Sequence, residues 1–152
     1  MQTQDQDRIE VVTELLASPA RVWQALTDHK EFGEWFHVHL NEPFRLGETT
    51  TGHITYPGYE HMQWVSVTEA LESERHFAFS WPPGSLDTET EYAADAKLLT
   101  EFRLEPTAQG TQLTISESGY TVFPEEKREG FLRQNLEGWN LQVKNIAEHL
   151  AQ

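Results

Sequence analysis

Cysteine is absent from this chain. That excludes disulfide staples, thiolate catalysis and thiolate metal sites, and makes a cytoplasmic location the default expectation. Positive charge is scarce. Lys and Arg together number 11 against 25 Asp and Glu, for a net charge of −14. Nucleic-acid binding needs a basic footprint that displaces counterions, so no nucleic-acid partner is expected, and an anionic membrane surface is disfavoured for the same reason. Long apolar runs are missing too: none approaches the roughly 20 residues of a spanning helix. The stretch from Met1 to Arg8 is polar and acidic and has no apolar core of the kind a secretory signal carries. What the chain does have is aromatic area, with 11% Phe, Trp and Tyr, five of them Trp. Rings supply much apolar area per residue and are common walls of ligand cavities. A length of 152 residues suits one domain with a sizeable core. The expected domain covers residues 1–152, with 1–7 disordered.

The hydrophobic pattern divides the chain into three parts. "RIEVVTELL" alternates Ile9, Val11, Thr13 and Leu15 against Glu10 and Glu14, which predicts a half-buried strand. "SPARVWQAL" follows, with Ser18 as N-cap, Pro19 as first helical residue, and Val22, Trp23 and Leu26 as the stripe. "KEFGEWF" places Phe32, Trp35 and Phe36 on one face of a second short helix. From 37 to 118 the period becomes two. "HVHL", "ETTTGHITY", "HMQWVSVTEALE", "RHFAFSW", "KLLTEFRLE" and "TQLTISE" end in turn signals and predict successive antiparallel strands. One connection, Pro82 to Ala96, is long and acidic, and loops of that length are often functional. Its Asp87, Glu89, Glu91 and Asp95 suit a solvated loop, or a lid that disfavours anionic ligands. The last segment, Glu125 to Ala151, carries Leu132, Leu136, Trp139, Val143, Ile146 and Leu150 at steps of three and four.

That last helix is roughly 39 Å long at 1.5 Å per residue, enough to cross a domain of this size. A single antiparallel sheet with one apolar face needs such a cover. A curved sheet gripping a helix leaves a space between them. Gly138, in mid-helix, is expected at the closest approach to sheet or ligand, with Trp139 as a wall.

"SPARVWQALTDHKEFGEWF", "PFRLGE", "HFAFSW", "GTQLTISESGY" and "EGWNLQVKNIAEHL", in this order, resemble the START-related helix-grip superfamily, also called SRPBCC. Within it the chain is similar to the branch of the C-terminal domain of heat-shock chaperone ATPase activators (AHSA-type). The resemblance covers residues 8 to 151. It implies an α+β helix-grip fold, with a curved antiparallel sheet around a long C-terminal helix and two short helices after the first strand. It also implies a cavity for small apolar molecules, and some related branches are cyclases or other lyases. It brings no universal catalytic residue.

Strand phase sorts the candidate site. Leu98, Thr100, Phe102 and Leu104 share one face of their strand, and Phe77, Phe79 and Trp81 one face of theirs. Thr111, Leu113 and Ile115 lead to Glu117 at the next inward position. Either Glu117 enters the cavity, where burial would raise its pKa, or the strand has ended and it meets water at the rim. Tyr56 shares a face with Ile54, Asn135 lies one turn before Trp139, and Tyr120 follows the "SG" turn. The expected cavity lining is therefore Trp35, Tyr56, Phe79, Trp81, Phe102, Glu117, Tyr120, Asn135 and Trp139. The strand "HMQWVSVTE" has two open phases, and His61, Gln63, Val65 and Val67 are taken as inward over Met62, Trp64, Ser66 and Thr68. His37 and His39 are two apart and would share a strand face, with His53 and His61 near a hairpin, yet no motif supplies a third ligand. No metal and no cofactor are expected, and no GxSxG, P-loop or GxGxxG is present. Three functions stay open: a binding domain for a small apolar or amphipathic ligand, which is favoured over catalysis; an enzyme such as a cyclase, dehydratase or hydrolase using Glu117 as general acid or base; and a chaperone-associated interaction domain. A homodimer and a chaperone contact stay open as partners.

Overall fold

The computed structural model describes residues 2–152. Eight strands form one antiparallel sheet: β1 (Gln2–Gln4), β2 (Arg8–Leu15), β3 (Val38–Leu40), β4 (Thr49–Ile54), β5 (Gln63–Glu72), β6 (His76–Trp81), β7 (Leu98–Pro106) and β8 (Thr111–Ser118). Their order across the sheet is β1-β2-β8-β7-β6-β5-β4-β3. Strands β3 to β8 form a meander, and β2 closes against β8, so the second strand lies beside the last one and β1 is the edge. Among the described residues three α-helices accompany the sheet: α1 (Pro19–Thr27), α2 (His29–Phe36) and α3 (Glu125–Leu150). This is the expected α+β helix-grip arrangement, a curved sheet with a long C-terminal helix.

Local chemistry accounts for the element boundaries. Ser18 caps α1 by accepting from the Arg21 amide, with Pro19 at the first helical position. Asp28 ends α1 and caps α2, accepting from the amides of Lys30 and Glu31. His37 ends α2 in the left-handed conformation, at φ 66°. Its ring packs on Tyr56, so His37 and His39 do not share a strand face as their spacing suggested. His39 instead pairs across the sheet with His53. Among the described residues, no three His, Asp or Glu side chains gather as a metal site would need. Gln2–Gln4 pair with Ile9–Val11 as an edge strand on β2, although the polar composition of 1–7 predicts disorder there.

The core lies between the inner face of the sheet and the helices. Ile9, Val11 and Leu15 of β2, Phe77 and Phe79 of β6, Leu98, Phe102 and Leu104 of β7, and Leu113 and Ile115 of β8 are buried against Val22, Leu26, Phe32 and Trp35 of α1 and α2. Helix α3 inserts Leu132, Trp139 and Ile146, seven residues apart, with Leu136, Val143 and Leu150 half-buried beside them. Two polar ties fix α3 to α2: Gln142 donates to the Phe36 carbonyl at 3.1 Å, and His149 Nε2 lies 2.8 Å from Glu31. They hold Phe36 against the Trp139 ring, 5.8 Å between centroids. No helix among the described residues is long and apolar enough to cross a membrane.

Candidate functional site

Register builds the site. Ile9, Glu117, Thr100 and Phe79 lie opposite one another on successive strands β2, β8, β7 and β6. The neighbouring row, Val11, Ile115, Phe102 and Phe77, is wholly apolar. The polar row therefore sits one step from a closed core, at the end of the sheet where β8 runs out. Glu117 is 4% exposed, so the strand has not ended before it and the side chain does point inward. Directly after β8, Gly119 adopts φ 101°, a conformation strained for other residues. This turn sends Tyr120 back under the sheet, where its hydroxyl reaches Glu117.

The result is a carboxyl ringed by donors. Glu117 Oε2 accepts from the Thr100 hydroxyl at 2.7 Å. Glu117 Oε1 accepts from the Tyr120 hydroxyl at 2.8 Å and from Asn135 Nδ2 at 3.2 Å. The Trp139 indole adds to the forces that lower its pKa. Two of these donors are themselves oriented. Trp81 Nε1 donates to Thr100 Oγ1 at 2.9 Å, and Asn135 Nδ2 to the Tyr120 hydroxyl at 2.8 Å. Each hydroxyl thus receives a hydrogen bond from behind and passes its own proton toward Glu117. Burial dominates the acidity and raises the Glu117 pKa, while the donors from Thr100, Tyr120, Trp139 and Asn135 pull it down. Tyr120 is raised as well, by burial first and then by the Glu117 charge.

Two chambers flank this carboxyl. One, of about 120 Å³, is lined by Phe36, Gln63, Trp64, Val65, Phe79, Trp81, Ser85, Glu117 and Trp139. The other, of about 160 Å³, is lined by Phe36, Glu117, Asn135, Gly138, Trp139 and Gln142. Phe36, Glu117 and Trp139 are common to both and stand between them.

The structure brings Phe79, Trp81, Glu117, Asn135 and Trp139 to the chambers, and sets Tyr120 behind Glu117. Trp35 and Phe102 belong to the packed core instead, and the Trp35 indole is committed to the Ala25 carbonyl at 2.8 Å. Tyr56 lies beyond the end of β4, 39% exposed against His37 and Tyr59, and lines neither chamber. Strand β5 has the phase opposite to the one favoured from sequence: Ser66 and Thr68 are buried with Trp64 half-buried, while Gln63 and Val65 are exposed. The large ring decided the phase, because Trp64 has rings to pack on, Phe79 at 5.2 Å and Phe36 at 5.4 Å. Gly138 is not a close approach. A Cβ there would meet nothing within 4 Å, so the glycine borders the mouth of the second chamber.

The acidic connection is also more anchored than a solvated loop. Asp87 is buried, accepting from the Tyr92 hydroxyl at 2.6 Å and the Glu89 amide at 3.1 Å, and pairing with Lys127 of α3 at 3.2 Å. The Tyr92 hydrogen bond leads the forces that hold its carboxyl far below the usual range. Burial, then Asp87, pushes the Tyr92 phenol up to about 12. This clamp fixes the connection to the first turn of α3, while Ser85 within it borders the first chamber.

Residues 16–151 match the family model described as Activator of Hsp90 ATPase homolog 1-like protein. No curated protein matches the chain in sequence. Among solved structures, a protein from Arthrobacter aurescens aligns with a TM-score of 0.79 at 18% identity, covering 99% of this chain and 91% of that one. Protein MLL2253 from Mesorhizobium loti aligns with a TM-score of 0.73 at 19% identity, covering 95% and 96%. DynU16, from the dynemicin biosynthetic locus, aligns with a TM-score of 0.71 at 20% identity, covering 98% of this chain and 48% of its own. At these identities the likeness is one of fold.

Proposed function

We propose a small-molecule-binding function from one premise: this chain belongs to the Activator of Hsp90 ATPase homolog 1-like family. The ligand is a small apolar or amphipathic molecule held between the sheet and α3. The observation that carries this reading is the first chamber, whose walls are Phe36, Trp64, Phe79, Trp81 and Trp139 and whose polar end is Glu117. Apolar walls with a few fixed polar groups are the ordinary composition of a ligand site. Drug-sized ligands occupy cavities of about 300–1,000 Å³, and each chamber is smaller. The ligand is therefore compact, or it displaces the Trp139 ring and joins the two spaces. Native mass spectrometry of the purified protein tests this directly: a retained small molecule is expected, and titration with apolar probes should quench Trp fluorescence saturably. Absence of both would overturn the reading.

A second reading has its own observation. Glu117 holds its proton more tightly than an ordinary carboxyl and sits at the end of two oriented hydroxyl relays. Such a group can act as general acid or base. If it does so on a bound molecule, Glu117→Gln should lower the rate by about 10²–10⁴. A pure binder would lose only affinity and its pH dependence.

A further inference from the structure

The charge of the ligand follows from what surrounds Glu117, given the reading of the first chamber as a binding site. Every group hydrogen-bonded to this carboxyl is neutral, two hydroxyls and one amide, and the indole that also lowers its pKa is neutral too. Three basic side chains have hydrogen-bond or ion-pair partners elsewhere. Lys127 of α3 pairs with Asp87, Arg128 donates to the carbonyls of Thr121 and Phe123, and Lys97 reaches Glu69. Among the described residues, Glu117 takes part in no ion pair, and no cation is among the forces on its acidity. A buried charge without a partner is costly.

The walls are equally selective. The indole N–H groups of Trp64 and Trp81 are spent on Ser66 and Thr100, and Trp139 lines the chamber beside Glu117. What Trp64 and Trp81 offer a ligand is ring, and the other polar groups of the lining, the Gln63 amide and the Ser85 hydroxyl, are neutral. Aromatic faces attract cations. The protein as a whole carries −14, and the exposed Glu89, Glu91 and Asp95 lie on the connection that contributes Ser85 to the chamber. Such a field repels anions and concentrates cations.

We propose that the ligand is an organic cation, a quaternary or protonated amine on a small apolar body, seated among the rings of Phe36, Trp64, Phe79 and Trp81 with its charge opposed by Glu117. The cation supplies the counter-charge that the protein withholds. Its binding favours the ionised carboxyl, so it releases the Glu117 proton, and affinity rises with pH through the titration of that group. The groups facing Glu117 are Ile9 of β2, Thr100 of β7, Tyr120 and, from α3, Asn135 and Trp139. Tyr120 alone among these titrates, and its pKa is raised away from neutrality.

Three probes of one shape test the proposal in the intact protein: choline, dimethylbutanol, in which carbon replaces the charged nitrogen, and the anion dimethylbutanoate. Binding is read by Trp fluorescence and calorimetry across a pH series. Choline should bind at least about tenfold tighter than dimethylbutanol at the alkaline end, with that preference shrinking as pH falls and lost in Glu117→Gln. Should that variant fold poorly, the wild-type probe and pH series still decide. Equal affinity for choline and dimethylbutanol, or tightest binding of dimethylbutanoate, overturns the cation and leaves the chamber as an apolar site. Failure of all three probes to bind, or a choline preference that survives Glu117→Gln, overturns the proposal outright, and the first of these also counts against the binding reading.

Discussion

Removing one oxygen from the interior, by Tyr120→Phe, interrogates the whole donor ring. Tyr120 is fully enclosed, and its hydroxyl donates to Glu117 at 2.8 Å while accepting from Asn135 at 2.8 Å. The ring of Phe fills the same space, so packing is nearly unchanged. Asn135 keeps its own 3.2 Å bond to Glu117. While the carboxyl is protonated, the loss is that of an ordinary hydrogen bond, about 0.5–1.5 kcal/mol. Once it ionises, the lost bond is one to a charge, about 1.5–3 kcal/mol. The cost should therefore grow with pH. The sign follows from Glu117 itself. Its folded pKa is raised above the ordinary 4.5, so the folded state holds a proton that the unfolded chain gives up. Wild-type stability from this group is full below 4.5 and is lost as pH rises through the folded pKa. Taking away a donor raises that pKa further and steepens the loss. Urea unfolding at several pH values, wild type against Tyr120→Phe, measures it. A cost that stays constant across the series, or that grows toward acid, would refute the donor ring as described.

Leu132→Ala should cost about 2–5 kcal/mol, because that side chain is fully buried. Leu136→Ala, at a half-buried position, should cost roughly half as much; equal losses by denaturant unfolding would place the buried edge of α3 elsewhere. Gly138→Ala should raise stability by about 0.5–1 kcal/mol, since a Cβ meets nothing and helix propensity improves; a lower denaturation midpoint would mean that the position is crowded. Asp87→Asn should loosen the connection 82–96, seen as faster amide exchange there. Because the Asp87 pKa is lowered on folding, its contribution is present above the ordinary 3.8 and lost as pH falls through the folded value, so wild type and variant should converge in strong acid.

The sequence made the fold legible because each element announces itself in its own period. The stripe from Leu132 to Leu150 and the Ser18-Pro19 start of α1 need no tertiary information. The inward direction of Glu117 was legible for the same reason: its phase with Leu113 and Ile115 is local. What surrounds it was not. Thr100 reads as one more strand residue, yet it faces Glu117 across the β7–β8 register, and Trp81 reaches it diagonally from β6. Strand β5 shows the limit from the other side. His61, Gln63, Val65 and Val67 alternate as plausibly as Met62, Trp64, Ser66 and Thr68, and neighbours on β6 and α2 choose between them. Counting the heavier ring as inward would have found Trp64. Phe36 was available as the end of the α2 stripe. Tyr56 was misplaced because periodicity was extended two residues past the end of β4.

A carboxyl in this position is hard to explain by stability. Apolar residues occupy the equivalent positions of the neighbouring row, Ile115 and Phe102, and bury without needing partners. Replacing buried polar groups by apolar ones of similar shape is commonly neutral or stabilising. Glu117 instead gathers polar groups from four places: Thr100 on β7, the Gly119–Tyr120 turn, Asn135 and Trp139 on α3, and, behind Thr100, Trp81 on β6. Those groups soften the penalty of the charge, yet burial still outweighs them, because the pKa remains raised. A structure that gathers so many elements around one acid, and then leaves the acid short of a counter-charge beside an aromatic chamber, is incomplete in a directed way. On the binding function proposed above, a small cation in that space supplies the counter-charge.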